Sequence, residues 1–188
     1  FTKCIRCPME KFQRETYDLV SKANIDDKLE RSTTSAANIA IPVLSKDKLS
    51  IVGSKGEEGV NVAISNLRNN KIEYLKKLNT KFFNNKISNL EEIMYESKNT
   101  DNITGLIYKK EYLKQFSTKF YQVLDTIDQK VEGLKGSGTI FIYSNLVKVG
   151  IEVFQEILLQ NGFLEFREDQ NYKINENVID YKLSLIHI

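Results

Sequence analysis

The chain has 188 residues, 41% of them apolar, and its 27 Lys and Arg against 25 Asp and Glu give a formal charge of +2. That is enough apolar material for one ordinary core or pieces of two, and the near balance of charge leaves any polyanion partner to be argued from where the charges lie. No apolar run reaches the roughly 18 residues that a helical membrane span needs, no signal peptide is visible, and the chain begins at Phe1 as an internal fragment would.

The opening "FTKCIRCPM" reads as a short strand. Cys4 and Cys7 form a lone C-x-x-C, whereas structural zinc takes four ligands and a thioredoxin-like site needs its own βαβ setting. They are therefore expected as small packing residues in a reducing compartment. "MEKFQRETYDLV" places Phe12, Tyr17 and Leu19 or Val20 at helical spacing, with Pro8 as a start signal. From Ser21 to Gly59 the periodicity fades among Ser/Thr runs, Pro42 and three glycines. This predicts a long irregular connection with one extended piece at "NIAIPVL", joining units and not merely turning a corner.

Between Asn66 and Lys86, Leu67, Leu75, Leu78 and Phe82 fall near one helical face, with six Lys/Arg against one Glu. Two readings stand: a basic stripe interleaved with Tyr74, Phe82 and Phe83 that follows a phosphate backbone, or a solvated face with its aromatics in the core. Alternation of Leu and Lys favours the second. In "KKEYLKQFSTKFYQVLDTIDQKV", Leu113, Phe116, Phe120, Leu124, Ile127 and Val131 form a buried stripe, which "EGLKGSG" ends. That glycine run is no nucleotide cradle, because a phosphate loop reads G-x-x-x-x-G-K-[ST] and opens a helix, while here a strand follows.

"TIFIYS" is a continuous β-branched and aromatic run, the pattern of a strand buried on both faces of a parallel sheet. Ser144 or Asn145 can cap the next helix, in which Val147, Ile151, Phe154 and Leu158 face inward and Lys148, Glu152 and Glu156 outward. Asn161 and Gly162 close it, and "FLEF" follows as a strand. The result is a right-handed βαβ unit whose ligand edge holds Ser144, Asn145 and the first helical N–H groups. The tail "LSLIHI" resembles a translated sequencing adapter, which makes residues 183–188 an expected artefact and removes His187 from any mechanism; a short apolar tail strand is the alternative.

In this order, "PMEKFQRETYDLV", "AANIAIP", "LKQFSTKFYQVLDTI" and "GTIFIYSNLVKVGIEVFQEILLQNGFLEF" resemble the region joining the two motor domains of superfamily 2 helicases. The likeness is closest to the early transcription factor and nucleoside-triphosphatase helicases of poxviruses and giant viruses. The sharpest piece, "IFIYSNLVKVGIEVFQEIL", is similar to the family's fourth motif, where the second RecA-like domain begins. "FSTKF", with Ser117, Lys119 and Phe120, resembles the serine–lysine–aromatic step before it.

The resemblance implies an α/β fold: a partial RecA-like parallel sheet preceded by a helical and irregular connector. It divides the chain into the end of the first RecA-like domain (1–20), a connector (21–102), the start of the second domain (103–182) and the adapter (183–188). It implies a parent that uses ATP and Mg2+, and a fragment that lacks the ATPase motifs and is inactive alone, with no catalytic or metal residue of its own. Ser144, Asn145 and Leu146 are placed where a DNA or RNA backbone passes, and Gln13 and Tyr17 at the junction as packing and hydrogen-bonding residues. Its partners would be nucleic acid, the remaining motor domains and a viral RNA polymerase, with no membrane, in the cytoplasm of an infected host or in the virion. Two competitors share these features: a non-catalytic RecA-like subunit of a viral transcription factor, and an unrelated α/β enzyme such as a nucleotide-sugar transferase.

Overall fold

The computed structural model describes residues 4–23, 31–134, 139–165 and 185–186. Gly136, Gly138, Phe166 and His187, on which expectations above rest, lie outside the described residues.

Cys4 to Glu10 form neither helix nor strand. The expected opening strand is absent over this stretch, and Cys4 is exposed, not packed, with both thiols free. The first helix, α1 (Lys11–Ala23), buries Phe12, Gln13, Thr16 and Val20 on one face, while Leu19 stays 62% exposed. It lies against α2 (Arg31–Asn38).

The stretch expected to be irregular holds more order than its composition suggests. β1 (Ile41–Leu44) pairs antiparallel with β2 (Ile51–Ser54), Leu44 opposite Ile51 and Ile41 opposite Ser54. Their turn is closed by Asp47, whose Oδ1 accepts from the Leu49 N–H at 3.0 Å and from the Ser45 hydroxyl. Gly53 has no room for a side chain: an added Cβ would sit 1.7 Å from Thr16 Oγ1, so α1 rests on β2 at backbone distance. Pro42 costs the ladder a donor but sits in a two-stranded sheet, where an edge tolerates it.

Two helices cover the hairpin. α3 (Gly56–Asn69) buries Gly59, Val60, Ala63 and Leu67, and α4 (Lys71–Phe83) buries Tyr74, Leu75, Leu78, Phe82 and Phe83. Asn84 ends α4 in the left-handed conformation, which asparagine adopts more readily than most residues. After a 3₁₀ turn come the short antiparallel pair β3 (Tyr95–Glu96) and β4 (Ile103–Thr104) and a second 3₁₀ turn.

The long helix expected over 109–131 is broken into α5 (Lys110–Leu113) and α6 (Thr118–Val131). Ser117 is the cause. Its side chain accepts from the Phe120 N–H at 3.0 Å and donates to the Asn38 carbonyl, satisfying a new helix start instead of the old helix's interior. Leu113, Phe116, Phe120, Leu124 and Ile127 remain buried as expected, but Val131 is 42% exposed.

Residues 139–144, expected as a doubly buried strand, have no strand partner among the described residues. Burial alternates with period two instead: Ile142 and Ser144 are half-buried against the body, while Phe141 and Tyr143 are 89% and 80% exposed. A wide turn of π-helix (Val147–Glu152) then leads into α7 (Val153–Gln160). In that turn the Ile151 N–H bonds to the Leu146 carbonyl, five residues back, at 3.2 Å. Each residue there turns less than the 100° or so of an α-helix, so one turn back from Phe154 arrives at Val149 and Gly150 and not at Ile151. The expected face is thereby shifted. Val149 and Gly150 are buried, and Val147 is 68% exposed.

The outward face expected for α7 is covered as well. Glu156 is 2% exposed, and its Oε1 accepts from the Ser97 and Thr100 hydroxyls at 2.6 and 2.8 Å. Gln160 donates to Tyr95 Oη and Thr104 Oγ1 at 2.9 and 3.0 Å. β5 (Leu164–Glu165) pairs in parallel with β6 (Leu185–Ile186). One hydrophobic core runs from Phe12 through Ile41, Tyr74, Phe116 and Leu124 to Phe154 and Phe163, so it crosses position 102/103. No helix among the described residues is long and apolar enough to cross a membrane.

Candidate nucleic-acid interface

A cleft of about 230 Å³ opens where α2, the start of α6 and the 142–151 segment meet. Its geometry begins with a residue that does not line it. Gln13 is fully buried; its Nε2 donates to the carbonyls of Ala36 and Ala37 at 3.3 and 3.1 Å, and its Oε1 accepts from the Thr118 N–H at 3.1 Å. One side-chain amide thus fixes the end of α2 against the first turn of α6. Its expected role as a hydrogen-bonding residue at a junction is met, while Tyr17 is half-buried on the same helix.

That junction presents Lys119 at the cleft. Its Nζ donates to Asn38 Oδ1 at 2.6 Å, which directs the ammonium without neutralising it. Among the described residues Lys119 has no carboxylate within ion-pair distance, whereas Lys148, in the 142–151 segment, pairs with Glu57 at 3.3 Å.

Across the cleft lie Ser144 and Asn145, two of the three residues expected at a backbone contact. The Ser144 Oγ accepts from the Leu146 N–H at 3.1 Å. This closes a tight turn and corrects two expectations. Ser144 does not cap the following helix, whose start has no side-chain cap, and the Leu146 N–H is occupied by that bond. Leu146 packs its side chain against the core and does not line the cleft. The Ser144 hydroxyl proton is left to donate. Gly150 permits the turn: a Cβ there would come within 2.4 Å of Ser144 Oγ and 3.1 Å of Leu146 Cβ.

The floor is apolar, formed by Phe120, Val123, Ile151 and Phe154, with the two phenylalanine rings 5.4 Å apart and tilted by 39°. Chemically the cleft offers one cation, a hydroxyl and side-chain amides around a hydrophobic base. Such a set holds an anionic group without reading sequence. Sequence reasoning noticed Lys119 only through the "FSTKF" resemblance and missed Asn38 and Thr34, because the stretch around α2 has no periodic signal.

A larger hollow of about 320 Å³ lies between residues 49–51 and Lys76, Lys77 and Lys81 of α4. Two of its three cations are already engaged. Lys77 pairs with Glu73 at 3.4 Å, and Lys81 donates to the Ile51 carbonyl at 2.7 Å while lying 5.1 and 5.6 Å from the ring centres of Phe12 and Phe82. Burial pushes the Lys81 pKa down, and the nearby Lys11 charge adds to that against the opposing pull of Glu15. Tyr74, Phe82 and Phe83 are buried, so this helix follows the second of its two readings, a solvated basic face with its aromatics in the core.

Among the described residues no three His, Cys, Asp or Glu side chains gather where a metal ion could be held.

Over 174 residues the chain is 42% identical to a protein of Acanthamoeba polyphaga mimivirus named "Putative ATP-dependent RNA helicase". The match covers 91% of this chain and 15% of that protein, so the chain spans about a seventh of the length of the relative it matches. No family model matches the chain, and no solved structure matches it.

Proposed function

We propose that the chain is a segment of a viral ATP-dependent nucleic-acid helicase of superfamily 2 and that its cleft grips the backbone of a passing strand. The observation that carries this reading is the 42% identity over nearly the whole chain to a protein named as an RNA helicase. The cleft supports it independently: Lys119, Ser144 and Asn145 converge there from segments far apart in sequence. Lys119 and the Ser144 hydroxyl take a phosphate, and Asn145 at the rim takes a second oxygen. None of these groups reads a base edge, so binding is sequence-indifferent and salt-sensitive.

In this reading ATP and Mg2+ are used by other parts of the longer protein. The segment itself turns over no ATP, since its sequence has no G-x-x-x-x-G-K-[ST]. Residues 139–144 belong to a RecA-like sheet, and the bare side carrying Phe141 is the one that further parts of the longer chain cover. The period-two burial of this segment supports that role.

Backbone amide NMR of the chain titrated with a short oligonucleotide tests the proposal. Shift changes should concentrate at residues 34–38, 117–123 and 142–151. Changes confined to α4, or none at saturating oligonucleotide, would refute it.

A further inference from the structure

We infer that the outer edge of β2 is a docking site for an extended acidic peptide, which adds to the β1–β2 hairpin as a third strand. The site shares no residue with the cleft and does not depend on what the cleft binds.

A two-stranded sheet has two outer edges, and each leaves a row of backbone groups to be satisfied. The edge of β1 is closed: Pro42 has no N–H, and its carbonyl accepts from the hydroxyl of Tyr74, which is fully buried. The edge of β2 is different. The Ser45 N–H bonds to the Ser50 carbonyl at 2.9 Å, so the alternation of an antiparallel ladder turns the N–H and C=O of Ile51 away from β1. There the Leu49 and Ile51 carbonyls accept from lysines of α4, Lys77 Nζ at 3.3 Å and Lys81 Nζ at 2.7 Å. Lys81 is exposed and Lys77 half-buried, and a hollow of about 320 Å³ runs beside them.

A strand laid in that hollow exchanges partners with the lysines. Its N–H groups take over the Leu49 and Ile51 carbonyls, and its carboxylates take the ammonium groups so released. The spacings agree. Lys77 and Lys81, four residues apart, stand about 6 Å apart along the helix, close to the roughly 6.8 Å between alternate residues of an antiparallel strand. Lys76 is exposed at the same hollow and, among the described residues, has no carboxylate within ion-pair distance. The one acid engaged there is Glu73, in an exposed pair with Lys77 at 3.4 Å that is worth little. Charge therefore selects an acidic ligand. The carbonyls select a peptide, because a phosphodiester offers acceptors to this edge and no donors. At Gly53 the strand meets Thr16 of α1 at backbone distance, so the docked stretch faces residues 49–51.

The test uses the 188-residue chain and three short fluorescent ligands: a peptide of alternating glutamate and threonine, its analogue with ester oxygens in place of the backbone N–H groups, and a peptide of alternating lysine and threonine. Anisotropy at fixed salt reads the affinities. The acidic peptide should bind, the ester analogue should bind at least about tenfold more weakly for the loss of two hydrogen bonds, and the basic peptide should not bind. Equal affinity for the first two would reduce the site to charge attraction and overturn the inference, as would no binding of the acidic peptide. Excess oligothymidine should leave the peptide bound; displacement would assign the edge to polyanions in general and contradict it. A dimer in sedimentation that the peptide dissociates would assign the edge to a second copy, with the same consequence. Lys76→Glu, an exposed change outside the Lys77 and Lys81 bonds, should weaken the acidic peptide several-fold with circular dichroism unchanged; an unaltered affinity would contradict the inference.

Discussion

Gln13 is at once buried, polar and saturated with partners, and its bonds tie α1 to both α2 and α6. Replacing it by leucine keeps the volume but leaves the Thr118 N–H and two α2 carbonyls short of a partner, at about 1–3 kcal/mol for each buried group so left. Gln13→Leu should therefore lower the unfolding free energy by about 3 kcal/mol in urea titrations and loosen the cleft with it. Tyr108 predicts the opposite sign. It is fully buried, its hydroxyl has no hydrogen-bond partner among the described residues, and burial drives its pKa upward. Tyr108→Phe removes a desolvated group that gains nothing in return, so thermal melting should show an unchanged or higher midpoint. At this scale the sequence was partly legible. Gln13, Ser144 and Asn145 stood out beside recognisable patterns, whereas Asn38, which directs Lys119, is one polar residue in a stretch of Ser, Thr and Ala with no signal of its own.

Elements were legible where one face meets the core and illegible where both do. α1, α4 and α6 follow their apolar spacing. α7 does not, because the β3–β4 loop folds over its polar face and brings hydroxyls to Glu156, and because one π turn moves the buried positions ahead of it. No pattern of apolar residues announces either event.

The joint between α5 and α6 shows how charge assists packing. Lys110 Nζ lies 2.8 Å from Asp125 and 2.9 Å from Asp128, whose side chain is 6% exposed. Desolvation acts to lower the Lys110 pKa, but the hydrogen bonds to Asp125 and Asp128 outweigh it and raise the pKa above the ordinary 10.5. A raised folded-state pKa stabilises fully below the unfolded value and ceases to do so as pH climbs through the folded one. Lys110→Met should thus cost about 1 kcal/mol or more near neutral pH, because it breaks a largely buried pair and leaves the Asp128 carboxylate without its cation. The gap from wild type, followed by chemical denaturation, should narrow above pH 10.5; a gap that widens there would show that the charge is not the cause.

For the molecule as a whole, the hydrophobic core continues across position 102/103, where the sequence reading ends its connector. Phe12, Phe82 and Phe116 meet with ring centres 4.8–5.9 Å apart, joining α1, α4 and the turn before α6. Phe120 and Phe154 continue that contact to α7. A chain cut between residues 102 and 103 should yield halves that are each unfolded alone by circular dichroism, since each would expose the apolar face that the other covers. A folded half would show that the boundary is a true domain border.

The cleft is the product of that shared core. It is built from α2, α6 and the 142–151 segment, which have no common face unless the whole chain is folded. Affinity for a single-stranded oligonucleotide, measured against salt for the wild type and for Lys119→Ala, tests this most directly. The account predicts that log K falls linearly with log salt, by about 0.7 for each phosphate neutralised, and that Lys119→Ala reduces the steepness by about that one unit's worth. A wild-type affinity independent of salt, or a variant that matches the wild type in both affinity and slope, would contradict it.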